Sequence, residues 1–132
     1  MGPRESNIWT ESFKAGSDLR LKQHYAVKLT TVDETVDICS AATDAAIGIL
    51  QDTPNIAEAC AVRLLGLSKA VADGTADIAR GNYVGTGAAG KLIVKGTADF
   101  GVLGVALDPA AEDNYVIGVM LLGAGFFRTA AG

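Results

Sequence analysis

Residues 47–66 have the sequence IGILQDTPNIAEACAVRLLG, and residues 103–123 follow the same pattern as LGVALDPAAEDNYVIGVMLLG. Each copy contains an apolar run with an early glycine, then an acidic turn with a proline, then a second apolar run that ends in glycine. Gly66 follows Gly48 by 18 residues, and Gly123 follows Gly104 by 19. We predict a hairpin unit that is used twice, in which the early glycine lets another backbone approach closely or bends the strand. Two such units suit a small barrel or sandwich.

The rest of the 132 residues supports an all-β chain. Sixteen glycines punctuate the sequence, most closely between residues 74 and 104, and the runs between them are short and apolar. This spacing is typical of many short strands. No window favours a helix of a dozen residues. The predicted fold class is therefore all-β, a small barrel with short hairpins and at most one or two short helical turns.

Residues 19–29 give the clearest predicted strand, because apolar and polar side chains alternate with a period of two. Its polar face is basic and includes Arg20 and Lys22. These two residues are candidates for contact with an acidic partner. The alternative is a solvated outer face whose lysines protect a sheet edge from pairing.

Residues 1–18 show no clear periodicity and mix proline, glycine, serine and charge. We predict that they form an extended N-terminal arm outside the core, and that residues 19–132 form a single domain. The isolated apolar residues Ile8, Trp9 and Phe13 are candidate contacts for another protein subunit. The alternative for Trp9 is that it folds back onto its own domain.

The C-terminal end carries a second candidate contact, the adjacent residues Phe126 and Phe127. They follow the last glycine of the repeat at a short distance. Two interpretations remain open, since these side chains either close the core or join subunits.

The loop at residues 85–91, GTGAAGK, matches the first positions of a phosphate-binding loop. Such a loop must open a helix, so that backbone N–H groups at the helix N-terminus point at the phosphates. Here Leu92-Ile93-Val94 follow, which is a strand pattern, and Leu92 stands where a hydroxyl is needed for magnesium. We therefore predict a hairpin with a Gly/Ala loop.

Composition excludes several classes of function. The formal net charge of −4 argues against general nucleic-acid binding. No stretch approaches 18 apolar residues, so no membrane span is expected. The two cysteines, Cys39 and Cys60, cannot form a disulfide framework and are predicted to be small buried residues in a reducing compartment. With His24 as the only histidine and no catalytic motif, we expect no enzyme, no catalytic residue, no metal site and no cofactor.

Four segments together resemble small phage head-decoration proteins, also called capsid cement proteins. They are residues 76–86 (ADIARGNYVGT), Gly90-Lys91-Leu92, residues 103–107 and the closing apolar strand at residues 116–122. The resemblance is to a small β-tulip-like family found beside major capsid genes. Residues 45–50 are also similar to the lambdoid head-decoration proteins.

The resemblance implies a β-barrel or β-tulip domain that forms homotrimers on the capsid exterior. It implies that the partner is the major capsid protein, and that the protein is made in the cytoplasm of a host bacterium and stabilises the expanded shell. The arm would add a strand to the capsid protein, so deletion of residues 1–13 is expected to leave the domain folded and to lower occupancy. Two rival functions are a ligand-binding module that uses residues 85–91 and a tail or baseplate interaction domain.

Overall fold

A computed structural model describes residues 6–74, 77–96 and 101–123 of the chain. These residues contain nine strands and no helix. The strands are β1 (Ser6–Ala15), β2 (Ala26–Leu29), β3 (Thr35–Ile38), β4 (Ala46–Leu50), β5 (Ala59–Val71), β6 (Tyr83–Thr86), β7 (Leu92–Val94), β8 (Val102–Ala106) and β9 (Val116–Leu121).

Five of the strands close into a small barrel in the order β1-β3-β2-β4-β5, because β1 pairs with both β3 and β5. The long strand β5 spans 13 residues and also carries the rest of the sheet. From β5 the sheet continues through β9, β8 and β6 to β7. The prediction of an all-β small barrel is confirmed.

The two copies of the repeat form two antiparallel hairpins, β4–β5 and β8–β9. The early glycine has the same function in both. A Cβ added at Gly48 would overlap the carbonyl oxygen of Arg63, and one added at Gly104 would overlap the carbonyl oxygen of Met120. The predicted close approach of a neighbouring backbone is therefore present in each copy.

The acidic turn of the repeat also has the same function in both copies. Asp52 accepts a hydrogen bond from the N–H of Ala61 at 3.1 Å, and Asp108 accepts one from the N–H of Gly118 at 2.8 Å. Each acceptor follows its early glycine by four residues, and each donor precedes the final glycine by five. That final glycine has a left-handed backbone conformation in both copies, with φ of 107° at Gly66 and 97° at Gly123.

The core divides into two clusters of buried side chains. The barrel cluster contains Leu19, Leu50 and Val62, and the second cluster combines side chains of β6, β7, β8 and β9 with others from β2, β4 and β5. Cys39 belongs to the second cluster and Cys60 to the barrel cluster, and both thiols are free and buried, as predicted. Burial raises the pKa of the Cys60 thiol to about 11.

The prediction that residues 1–18 lie outside the core is wrong for residues 6–18. Strand β1 pairs with β5 from Ser6 to Lys14, and Ala15 is buried in the barrel cluster with Phe13 packed against it. Residues 1–5 lie outside the described residues. This strand was not predicted because Glu11 interrupts the alternation of apolar residues between Trp9 and Phe13.

The predicted strand at residues 19–29 is confirmed only for its last part, Ala26–Leu29. Residues 19–25 instead make turns, in which the N–H of Lys22 bonds to the carbonyl of Leu19 and His24 has a φ of 71°. Leu19 is buried, but Leu21 is 90% exposed. The alternation of apolar and polar residues at positions 19–25 therefore does not reflect a strand with one buried face.

Candidate functional site

The candidate site is an apolar groove beside strand β1, with a volume of about 320 Å³. Its described lining comes from four barrel strands and from the residue that ends the second repeat. These lining residues are Trp9, Phe13, Leu29, Ile47, Leu64, Leu65 and Gly123. None of them carries a charged or titratable side chain. The groove can therefore hold an apolar group, and its described lining offers no group that could act as an acid, base or nucleophile.

The groove exists because β1 extends past the β2–β3 hairpin. On one side β1 pairs with β5 from Ser6 to Lys14, whereas on the other it pairs with β3 only at Lys14 and Ala15. The hairpin turns back at residues 30–34, between β2 and β3. Beyond that turn, β3 does not cover the apolar side chains of β1 and β5, and these side chains line the groove.

The floor of the groove is fixed and its rim is open. Phe13, Ile47 and Leu64 are partly buried and pack against the barrel cluster. At the rim, Leu29 is 56% exposed and Trp9 is 48% exposed. An apolar side chain that entered the groove would remove this exposed area from water, which is favourable.

Trp9 is held at the rim by two contacts. It lies opposite Leu65 in the β1–β5 register. Its indole N–H donates a hydrogen bond of 2.6 Å to the carboxylate of Glu11. The polar edge of the ring is thus satisfied at the surface, while its apolar part lines the groove, a common arrangement for tryptophan at contact sites.

Of the predicted contact residues, the structure brings Trp9 and Phe13 together in the groove. Ile8 precedes them on the same strand and is 74% exposed, but it does not belong to the lining. Phe126 and Phe127 lie outside the described residues. The interpretation of Trp9 as a residue that folds back onto its own domain is therefore partly correct, since Trp9 contacts the barrel and keeps about half its surface exposed.

Arg20 and Lys22 are not in the groove. The Arg20 guanidinium donates to both carboxylate oxygens of Asp18, at 2.9 and 2.7 Å. This hydrogen bonding lowers the pKa of Asp18 to about 2. The Lys22 ammonium lies 4.8 Å from the centre of the Tyr25 ring, a cation–π distance. Both cations are thus engaged within the turn segment and do not form a basic strand face.

Sequence reasoning missed Leu29, Ile47, Leu64 and Leu65 as site residues. No local signal was available, because the arrangement depends on a shift in strand register. Trp9 pairs with Leu65 and the next residue, Thr10, pairs with Arg63, so Leu64 is an extra residue on β5. This bulge lets the consecutive residues Leu64 and Leu65 both line the groove.

The loop at residues 85–91 connects β6 and β7 as a hairpin, as predicted, with Thr86 opposite Leu92. The Lys91 ammonium lies 3.2 Å from the Asp113 carboxylate. Hydrogen bonds from the Gly74 N–H and from Lys91 lower the pKa of Asp113. Lys91 is therefore paired with a carboxylate, and no helix N-terminus follows it.

In the described part of the chain, no group of three or more His, Cys, Asp or Glu residues is placed to hold a metal ion. Among the same residues, no helix is long and apolar enough to span a membrane.

Comparison with known proteins shows the fold. No protein-family model and no curated protein matches the chain in sequence. Among solved structures, the N base of head fiber gp8.5 in bacteriophage phi29 matches with a TM-score of 0.64 at 16% sequence identity. The match covers 86% of this chain and 92% of that one. At this identity the match shows that almost the whole of both chains shares one fold.

Proposed function

We propose that this chain is a structural component of a bacteriophage virion that is attached to the outside of the head. The observation that carries the proposal is the shared fold with the base of a phage head fiber, over 86% of this chain and 92% of the other. The exposed side chain of Ile8 beside the candidate site agrees with it, because an exposed apolar residue suits contact with another protein.

In the finer form of the proposal, the chain decorates the capsid as a homotrimer and binds the major capsid protein. Binding the expanded shell more tightly than its precursor would stabilise the expanded form by that difference in affinity. Many weak copies on one lattice would gain avidity without a strong single site. The protein would be made in the cytoplasm of the host bacterium and would need no catalytic activity or cofactor.

Strand β1 offers the surface that we propose for attachment. Ile8 is a large aliphatic residue that is 74% exposed, and it lies at a bulge of β1 between Asn7 and Trp9, which both pair with β5. An exposed aliphatic side chain between two paired residues is a good anchor, because its burial against a partner removes apolar surface from water.

The test is co-sedimentation of the full chain with purified expanded heads. We expect Ile8→Lys to lower occupancy, because the lysine would have to be buried against the shell. Leu21→Lys is the matched control, since Leu21 is 90% exposed and lies on the turn segment after β1. Equal occupancy for wild type and both variants would show that β1 does not contact the shell. Absence of wild-type binding to heads would overturn the proposal.

The two rival functions give different results. A tail or baseplate domain would sediment with tails and leave heads bare. A ligand-binding module that uses residues 85–91 would show saturable nucleotide binding that Lys91→Ala abolishes. The pairing of Lys91 with Asp113 argues against the second rival, because a phosphate would have to compete with that carboxylate.

A further inference from the structure

The described part of the chain ends in the apolar groove. Gly123 is one of the lining residues, and nine more residues follow it, AGFFRTAAG at positions 124–132. We propose that this C-terminal segment of the same chain occupies the groove, with Phe126 and Phe127 as its anchors. The inference goes beyond the proposed function, since it concerns the isolated protein.

The distance along the chain is short enough. An extended chain spans at most about 3.5 Å per residue, so Phe126 can lie no more than about 11 Å from Gly123, and Phe127 no more than about 14 Å. Because Gly123 itself lines the groove, both side chains begin within reach of it. No rearrangement of the barrel is needed to bring them there.

The other segments outside the described residues fit the groove less well. Residues 1–5 and 75–76 contain no aromatic side chain. Residues 97–100 contain Phe100, but the segment is bounded by Gly96 and Gly101, and neither of these lines the groove. Only the segment at 124–132 both continues from a lining residue and carries aromatic rings.

The chemistry of the groove also selects an aromatic occupant. Its floor is aliphatic and aromatic, through Leu64, Ile47 and Phe13, and its rim carries the indole of Trp9. Phenyl rings bury a large apolar area and pair favourably with another aromatic ring edge-to-face or offset. At the rim, Trp9 and Leu29 have about half of their surface exposed, and an aromatic occupant would cover more of it.

Trp9 provides the test, because it is the only tryptophan in the chain. The full chain with Phe126→Ser and Phe127→Ser together is compared with wild type by tryptophan emission, acrylamide quenching and binding of an anilinonaphthalene sulfonate dye. We expect the double variant to shift the emission to longer wavelength and to increase both quenching and dye binding. Arg128→Ser is the matched control in the same segment, and it should leave all three readouts at the wild-type values.

Circular dichroism and thermal melts verify that the double variant is folded before its emission is interpreted. Emission and quenching that are unchanged in a folded double variant would overturn the inference. Should the double variant fail to fold, nuclear Overhauser contacts in the wild-type chain decide. Contacts from the Phe126 or Phe127 ring to the methyl groups of Leu29 and Ile47 support the inference, and their absence overturns it.

An isotope-filtered experiment on a mixture of labelled and unlabelled wild-type chains identifies the source of the rings. Contacts within one chain support the inference. Contacts only between chains, together with emission that changes on dilution, would overturn it in favour of a second copy as the occupant.

Discussion

At the scale of single residues, the two early glycines of the repeat are positions where no side chain fits. Gly48 and Gly104 each lie against a carbonyl oxygen of the neighbouring strand, so any side chain must displace backbone. Gly81 provides a contrast, since it has a φ of 91° but no atom within 4 Å of an added Cβ. The early glycines of the repeat are therefore required by close strand approach, whereas its final glycines, Gly66 and Gly123, have a positive φ that favours glycine.

We predict that Gly104→Ala lowers the free energy of unfolding by about 3 kcal/mol or more, because overlap with backbone cannot be relieved by a rotamer change. Gly81→Ala should cost less, about 1–2 kcal/mol, since only its backbone conformation is unfavourable for alanine. Urea unfolding of both variants measures the difference. A smaller loss for Gly104→Ala than for Gly81→Ala would show that the close approach is not a constraint.

The carboxylate of Asp44 fixes the loop between β3 and β4. It accepts hydrogen bonds from the N–H groups of Ser40 and Ala41, at 2.7 and 3.0 Å, and from the Lys28 ammonium at 3.0 Å. These hydrogen bonds lower the pKa of Asp44 from its ordinary value of 3.8, and the bond from the Ser40 N–H has the largest effect. The folded state therefore binds this proton less readily than the unfolded state does.

It follows that Asp44 stabilises the fold above pH 3.8, and that this stability is lost as the pH falls through the lowered pKa. We predict that Asp44→Asn is less stable than wild type at neutral pH and loses less stability on acidification. Unfolding free energies measured from neutral pH down to below pH 3 test this. An acid dependence as steep in Asp44→Asn as in wild type would contradict it.

At the scale of elements, β1 closes the barrel and cannot be a dispensable arm. Its pairing with β5 runs from Ser6 to Lys14, and Phe13 packs against the barrel cluster. The earlier expectation that removal of residues 1–13 leaves a folded domain is therefore replaced. Removal would leave one edge of β5 unpaired and expose part of the core.

We predict that deletion of residues 1–13 abolishes cooperative thermal unfolding or lowers its midpoint strongly. Phe13→Ala in the full chain should act in the same direction and cost about 2 kcal/mol, because it removes a partly buried aromatic side chain. Circular dichroism during heating measures both. A truncated chain that melts at the same midpoint as the full chain would restore the interpretation of an arm outside the core.

Strands that pair with a neighbouring segment of the sequence could be predicted, whereas a strand with a distant partner could not. The hairpins β4–β5 and β8–β9 were predictable because glycine, aspartate and apolar runs recur at fixed spacing within about twenty residues. Strand β1 was not, because its partner residues on β5 lie about fifty positions away, as for Phe13 and Cys60. Residues 19–25 were predicted as strand because alternation alone does not show the left-handed backbone at His24.

At the scale of the whole molecule, the groove could not have been predicted from the sequence. It depends on where the β2–β3 hairpin ends relative to β1, which is a matter of register between distant segments. Trp9 and Phe13 were identified as contact candidates from their isolation in a polar segment. Leu29, Ile47 and Leu64 have the sequence context of ordinary strand residues. Nothing in their neighbouring sequence shows that these three strands contribute side chains to one groove.

The described residues form a sheet framework whose exposed apolar surfaces agree with the proposed attachment to another protein. Its barrel is closed by an N-terminal strand with an exposed aliphatic residue, and its groove is apolar. The proposal of a head-attached virion protein therefore depends on contacts between exposed surfaces. If it is correct, each copy of the protein binds at a fixed position on a phage head.

Electron cryomicroscopy of purified expanded heads, with and without the added full chain, tests that consequence most directly. The account predicts additional density at regular positions on the outer facets, into which the five-stranded barrel fits with β1 toward the shell. Heads that look the same with and without saturating protein, or density on tails alone, would contradict it.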